Sequence, residues 1–586
     1  MFSHLFRNFQ KIAWFLPGFL LWAAFPPMGE RMDVLFALAP LMWLSRREVS
    51  ARIVAKRWFQ SGIFYWGATL SWMPAIVKNG GPWPLVVLGW FCLAAYCAAY
   101  FAAYGWLSAI FWKWARKTSD NRTVGQSNNP YWKRLLGVLL VEPLLWCGLE
   151  LVRSRFLGGF AWNQLGVVPV NSGFGAPAAL GGVYLCSAVV VLINGTIAGI
   201  AERVWKAERS GFANLKRLGS LETLVVFGAV YGIYSCASLA SGEDTASPLG
   251  GGANGEAVFS PLQGARNTFL KVAMIQRNFA CVFKAQEENP LDVYGKLFEN
   301  VAELKPDLVV LPESALCEFA PVDQPRAAAF AEWVRDKTGA ALLAGGSRYS
   351  HGLNYNSAAL YSTKGVQVYD KVHLVPFGEF IPGDKLFPAL QKFAPVGSCT
   401  PGELKLLSLS LPDGANDRTL PSADNQTVKQ SNAQTIPLGV AICFEDTDSA
   451  QVRALVKKGA QALVFVTNDS WFSHSIESEQ HAWQAVARAI ETGLPVVRVG
   501  NGGVTGTIAP EGRATWLVGS DGKPLVDRRG TMFDRIEVKN QCEGRPRTPY
   551  VVLGDLPLAL AFALLILGMI VVKYSNNYEK RRSLSL

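Results

Sequence analysis

GVAICFEDTD, residues 439–448, sets an apolar run from Gly439 to Ile442 against Cys443, with acids following at Glu445, Asp446 and Asp448. The run has the make-up of a buried strand. The cysteine stands where that strand should give way to a turn. A lone cysteine is most often a small apolar core residue, so a chemical role here depends on what other strand ends supply.

Outward from this stretch the pattern alternates between strand and helix. FLKVAMIQ (269–276) and DLVVLPES (307–314) read as strands, and between them Leu291, Tyr294, Phe298 and Val301 share one face of a helix starting near Pro290. ALLAGGS (341–347), NSAALYS (356–362) and VQVYDKV (366–372) follow as strands, then PLGVAICFE (437–445) and ALVFVTND (462–469). A helix over 479–493 leads to VVRVGN (496–501) and GVTGTI (503–508). Near-continuous apolar strands alternating with helices imply a largely buried sheet covered by helices. The stretch 411–435 is polar, rich in Pro, Gly and Asn, and reads as a surface insert; 241–263 reads as a linker for the same reason.

Three strand ends in this region carry an unusual polar residue. DLVVLPES delivers Glu313, VQVYDKV delivers Lys371 and GVAIC delivers Cys443. Alone, each has a plain explanation: a cap, a solvated strand residue, a packed thiol. Sites in parallel sheets assemble at strand ends, and a base, a cation and a thiol together make a nucleophile constellation. A lysine ammonium nearby would favour the thiolate.

The rest of the chain is of another kind. Half of its 586 residues are hydrophobic and only 17% are charged, with 19 Trp and 33 Phe. The apolar residues crowd into the first 240 positions and a stretch near the C-terminus. Runs of spanning length lie near 12–28, 34–45, 58–76, 84–112, 134–153, 177–200, 221–240 and 551–573, about eight spans in all, the first read as retained rather than cleaved. The formal charge of +11 gathers in gaps between these runs, as at Arg46 to Arg57, Lys113 to Arg134, Arg203 to Arg217 and Lys573 to Arg582. That is the pattern of cytoplasmic membrane loops rather than of a nucleic-acid surface. It places both termini in the cytoplasm and the domain 264–545 outside it. The expected organisation is spans one to seven over 1–240, a linker at 241–263, the outer domain at 264–545, and span eight with a tail at 546–586. Glu150 and Arg153 fall three apart near the outer end of span five, where ionisable groups are costly and are functional or paired. The outer domain has five cysteines, Cys281, Cys317, Cys399, Cys443 and Cys542, so at least one is left unpaired. The histidines show no metal spacing, and no metal is expected.

PDLVVLPES, YDKVHLVPFGE and GVAICFE together resemble the Glu–Lys–Cys motifs of the carbon–nitrogen hydrolase (nitrilase) superfamily. With eight spans around them, and with ELVRSRFLGGFAW (150–162), TNDSWF (467–472) and QHAWQAVARAIETGLPVVR (480–498), the likeness narrows to the apolipoprotein N-acyltransferase family. The resemblance implies a polytopic α-helical membrane domain plus an α-β-β-α sandwich. It implies transfer of a fatty acyl group from a phospholipid to the N-terminal amine of a diacylglyceryl-cysteine on an apolipoprotein, through a Cys thioester. It implies a bacterial inner-membrane location, no cofactor and a monomer. By the same resemblance Cys443 is the nucleophile, Glu313 the general base and Lys371 the third member. Glu379, Phe444, Glu445, Phe377 and Trp471 are supporting positions. Phe444 stands where relatives usually have Tyr, and Ala285 aligns with a Trp of the family.

The residues leave two rivals open. A membrane-tethered amidase of the same superfamily would hydrolyse its thioester with water. A transporter or receptor would carry an inert outer domain.

Overall fold

The structure is a computed structural model that describes residues 14–47, 50–120, 131–210, 221–241, 267–279, 289–316, 322–383, 398–411, 434–539 and 548–584. The expected linker beyond Ser241, which ends a helix, most of the insert, Ala285, Cys281, Cys317 and Cys542 lie outside the described residues. The chain forms two compact units, Met1–Thr245 with Thr548–Leu586, and Ala246–Arg547.

The first unit is helical. Each of the eight expected stretches holds helix, and four described helices are long and apolar enough to cross a membrane: Trp83–Arg116, Trp132–Arg153, Ala178–Trp205 and Leu556–Ser575. Phe15–Ala24 and Thr223–Ser238 are apolar but shorter. Ala39–Arg47 and Ala51–Thr69 differ from expectation in a specific way. Arg46, Arg47, Arg52, Lys56 and Arg57 extend these helices instead of forming a loop, so both carry charge at their ends. Arg46 is buried and accounts for its charge locally: its Nη2 lies 2.6 Å from Glu142 Oε2, and Glu142 Oε1 accepts from Trp112 Nε1. A buried pair of this kind is tolerable only because each partner satisfies the other. Buried Asn194 ties the start of Ala39–Arg47 to its neighbour by accepting from the backbone of Leu38 and Ala39 and donating to Val34 O. The helix Leu556–Leu584 buries almost nothing along its apolar length, with Leu560, Leu564, Leu567 and Ile570 all exposed. An apolar face left open in this way suits lipid rather than water.

The second unit is a sandwich of two six-stranded sheets. The strands are β1 (Asn267–Gln276), β2 (Leu308–Val310), β3 (Ala341–Ser350), β4 (Leu353–Ser362), β5 (Gly365–Asp370), β6 (Leu407–Ser410), β7 (Thr435–Ile442), β8 (Ala462–Asn468), β9 (Val496–Asn501), β10 (Gly506–Ile508), β11 (Ala514–Trp516) and β12 (Gly530–Lys539). One sheet runs β12-β1-β2-β3-β4-β5 and the other β11-β10-β9-β8-β7-β6. At the heart of each sheet lie three parallel strands, β1-β2-β3 and β7-β8-β9. Parallel neighbours need crossover helices: α1 (Pro290–Ala302) and α2 (Pro325–Thr338) serve the first sheet, α3 (Ser449–Lys457) and α4 (Glu477–Thr492) the second.

Alternate side chains divide the packing. Leu270, Val272, Val310 and Leu343 of one sheet meet Ile436, Val440, Val464 and Val499 of the other. The opposite faces of β1 to β4 pack against Tyr294, Phe298, Phe330 and Val334 of α1 and α2. The result is the α-β-β-α layering that the resemblance implies. Starts are set locally, as where Asn289 caps α1 by accepting from Leu291 N, with Pro290 in the first turn.

Candidate active site

Glu313, Lys371 and Cys443 each follow the C-terminal end of a strand, β2, β5 and β7. Backbone shape sharpens two of those ends. Cys443 has φ +53° and Ser314, next to Glu313, has φ +55°. A side chain in the left-handed region costs on the order of 1–2 kcal/mol, and such strain clusters where a reactive group must stand clear of its strand. A close backbone approach fixes the acid end: a Cβ at Gly345 of β3 would lie 2.5 Å from Pro312 O and 2.6 Å from Glu313 Cα.

The charged groups converge. Lys371, fully buried, places Nζ 2.9 Å from Glu379 Oε1 and 3.6 Å from Glu313 Oε1. Asn356 of β4, absent from the sequence reading, donates from Nδ2 to both carboxylates, at 2.7 Å to Glu313 and 2.6 Å to Glu379. Two anions can share this space because a cation and an amide stand between them. Glu379 Oε2 also accepts from Val375 N, so it orders the loop after Lys371.

Burial pushes the Glu313 carboxyl up; Lys371 pulls it down and Glu379 pushes it up again. Burial pulls the Lys371 ammonium down, but Glu379 and Glu313 more than offset it and hold it well above its usual range. The sulfur differs from expectation. Burial first, and then the Glu313 carboxylate, push the Cys443 thiol well up and favour the thiol form over the thiolate, against the pull of Lys371. Cys443 is free, as is Cys399, whose thiol burial and then Glu379 push up to about 11.

Glu445 is wholly buried and accepts from Ile442 N, Val372 N, His373 N and the Tyr369 hydroxyl, at 2.7–3.1 Å. It joins the strand end that bears Lys371 to the one that bears Cys443, which is a structural role. Phe444 is half-buried, its ring edge-on to His373 at 5.7 Å. Trp471 is half-buried in the 3-10 turn Asp469–Phe472 after β8. Phe377, with φ +61°, stands 68% exposed at the tip of the loop after Lys371. Ile381, four residues further along the same loop, is buried.

Glu150 and Arg153 belong to the helical unit. Arg153 Nη1 donates to Phe160 O and Trp162 O, with its guanidinium 4.7 Å from the Trp66 ring centre. Glu150 Oε1 accepts from Trp146 Nε1 and Leu165 N. Both side chains hold the irregular segment that follows their helix.

One cluster has donors close enough to invite a metal: Asp469, Glu477 and His481, with ligand atoms within 4.8 Å of one another. His481 and Asp469 are already engaged, while Glu477 Oε2 is buried without a hydrogen-bond partner. His481 faces Asp469 and Asp446 at 3.0 Å on its two ring nitrogens, and Arg498 bridges both aspartates. The cluster is an ion network.

The family pattern described as the apolipoprotein N-acyltransferase N-terminal domain matches residues 17–196, and that of the carbon–nitrogen hydrolases matches 271–529, so both patterns meet in one chain. The chain belongs to the apolipoprotein N-acyltransferase family. It is 28% identical to the apolipoprotein N-acyltransferase of Geobacter metallireducens over 85% of this chain and 84% of that one. It is 27% identical to that of Neisseria meningitidis serogroup B, over 87% and 89%. It is 26% identical to that of Gloeobacter violaceus, over 97% and 94%. Among solved structures, a carbon–nitrogen hydrolase from Helicobacter pylori is 17% identical with a TM-score of 0.31, over 46% of this chain and 88% of that one.

Proposed function

We propose that this protein moves a fatty acyl group from a membrane phospholipid to the N-terminal amine of a diacylglyceryl-cysteine on an apolipoprotein, through a thioester on Cys443. The supporting observation is a buried ammonium held between two carboxylates, at strand ends shared with an unpaired thiol on a strained turn. Because burial favours the thiol form, Glu313 takes its proton as the sulfur attacks the ester carbonyl. The tetrahedral oxyanion falls to the Lys371 ammonium and the Phe444 N–H, and losing one such donor costs on the order of 10²–10³ in rate. Glu313 returns the proton to the departing glycerol oxygen, which leaves as a lysophospholipid. In the second half the amine attacks the thioester, Glu313 accepts the amine's proton, and that proton goes to the sulfur as the amide is released.

Both substrates carry acyl chains, and withdrawing each CH₂ from apolar surroundings costs about 0.8 kcal/mol. An enzyme held in the membrane, where both substrates lie, avoids that cost. On this reading about eight spans hold the protein in the inner membrane, with both termini cytoplasmic and the catalytic domain periplasmic. The exposed Phe377 tip meets the lipid surface.

Full-length protein incubated with phospholipid vesicles tests the reading by mass spectrometry of the Cys443 peptide. A fatty thioester that persists until an amine acceptor is added supports transfer. Free fatty acid released without acceptor, and no adduct, would favour the hydrolase instead.

A further inference from the structure

Beneath the sulfur lies a buried network that the proposed mechanism does not use. Cys443 opens the 3-10 turn Cys443–Thr447, and Asp446 is in that turn. His481, on α4, reaches Asp446 Oδ1 with Nε2 and Asp469 Oδ1 with Nδ1, each at 3.0 Å. Carboxylates only accept, so a ring held between two of them donates from both nitrogens and is an imidazolium. Arg498 on β9 reaches Asp446 Oδ2 at 2.5 Å and Asp469 Oδ2 at 3.2 Å. Thr467, at the end of β8, donates its hydroxyl proton to Asp469 Oδ1 at 2.7 Å. The same helix holds the far end of the turn, where Arg488 Nη1 donates to Thr447 O at 2.8 Å. Glu477 also faces the ring, its Oε1 3.5 Å from Nδ1; burial and then the Asp469 charge push this carboxyl well up. Two cations thus face two aspartates.

We propose that His481 is a positioning residue for Cys443: as an imidazolium it clamps Asp446, inside the nucleophile's own turn, to Asp469, just past the end of β8. This rests on Cys443 being the nucleophile. The arrangement has two consequences. Without the imidazolium the tie between the nucleophile's turn and the turn after β8 falls to Arg498, and a displacement of about 1 Å costs on the order of 10²-fold in rate. Asp469, left with less compensation, also raises the thiol further.

The test follows iodoacetamide alkylation of Cys443 against pH in the full-length protein, read from the Cys443 peptide by mass spectrometry. Acyl loading from vesicles of phosphatidylethanolamine and phosphatidylglycerol is measured beside it. His481→Gln should move the alkylation midpoint to higher pH and slow loading on the order of 10²-fold with little change in KM. Adding Asp446→Asn should return the midpoint toward native, because Arg498 is then free to serve Asp469 alone. A native midpoint and loading rate in His481→Gln overturns the proposal, and so does a double variant no better than the single. If His481→Gln does not fold, Thr467→Val takes its place, since it too takes a donor from Asp469: a raised midpoint supports the influence of Asp469 on the thiol, and a native one overturns it. Alkylation needs no acyl substrate. A midpoint that responds to these changes in a protein that never loads acyl would sink the transfer reading and leave the clamp standing.

Discussion

At the scale of single residues, the site turns on one ammonium serving two carboxylates. Lys371→Met removes the cation and leaves Glu313 and Glu379 buried beside each other. Breaking a buried pair from one side costs about 3–5 kcal/mol, so a lowered melting temperature and an absent thioester are both expected. Glu313→Gln keeps the shape and removes only the base. Thioester formation should fall on the order of 10²–10⁴-fold with the melting temperature little changed. A Glu313→Gln protein that loads acyl at the native rate would remove Glu313 from the mechanism. Because burial raises the Glu313 carboxyl above its ordinary value of 4.5, the acid limb of the loading rate should lie above that value too. Loading is lost as pH falls through the raised value, because the base becomes protonated. In Asn356→Ala, which takes the shared amide from the two carboxylates, that limb should move, as read from the pH–rate profile.

At the scale of elements, the strand ends are held by backbone contacts. Gly345→Ala would press a methyl on Pro312 O and Glu313 Cα. The acid turn should shift, with a loss of loading larger than the loss of stability. Helix α4 makes a different prediction. In the folded domain His481 is raised from its ordinary 6.5 to about 10, with Asp446 the leading favourable partner against the cost of burial. The folded state then binds a proton that the unfolded chain has released. Its stabilisation is complete below pH 6.5 and is lost as pH rises from there to about 10. Burial pushes Asp469 up, but His481 and Arg498 outweigh it and bring it below its ordinary 3.8, so its contribution is lost in acid. Thermal melts across pH should show an alkaline decline that His481→Gln flattens. An equally steep decline in that variant would mean the imidazolium is not its source.

For the whole molecule, the proposed function requires a domain outside the membrane to take an acyl group from a lipid. Phe377, left-handed and exposed after Lys371, is an apolar tip with no core to fill. Phe377→Ser should slow loading from vesicles while loading from a short-chain soluble ester stays native. Equal loss on both donors would place the tip in the chemistry and not in lipid contact.

Runs of apolar residues and their period were enough to locate the helices of spanning length, the parallel strands and the three strand ends that carry Glu313, Lys371 and Cys443, because those depend on neighbours in the chain. The short antiparallel strands β6 and β11 and the long β12 went unread: the first two are only a few residues long, and β12 is defined by its pairing with β1 at the other end of the domain. So did Asn356, which looks like any strand asparagine until two carboxylates face it, and His481, one polar residue of a buried helix. Whether the sulfur rests as thiol or thiolate was also beyond local reading. Charge at a buried atom is a sum over everything that folding brings near, and here burial and then the Glu313 carboxylate outweigh the pull of Lys371 on the thiol.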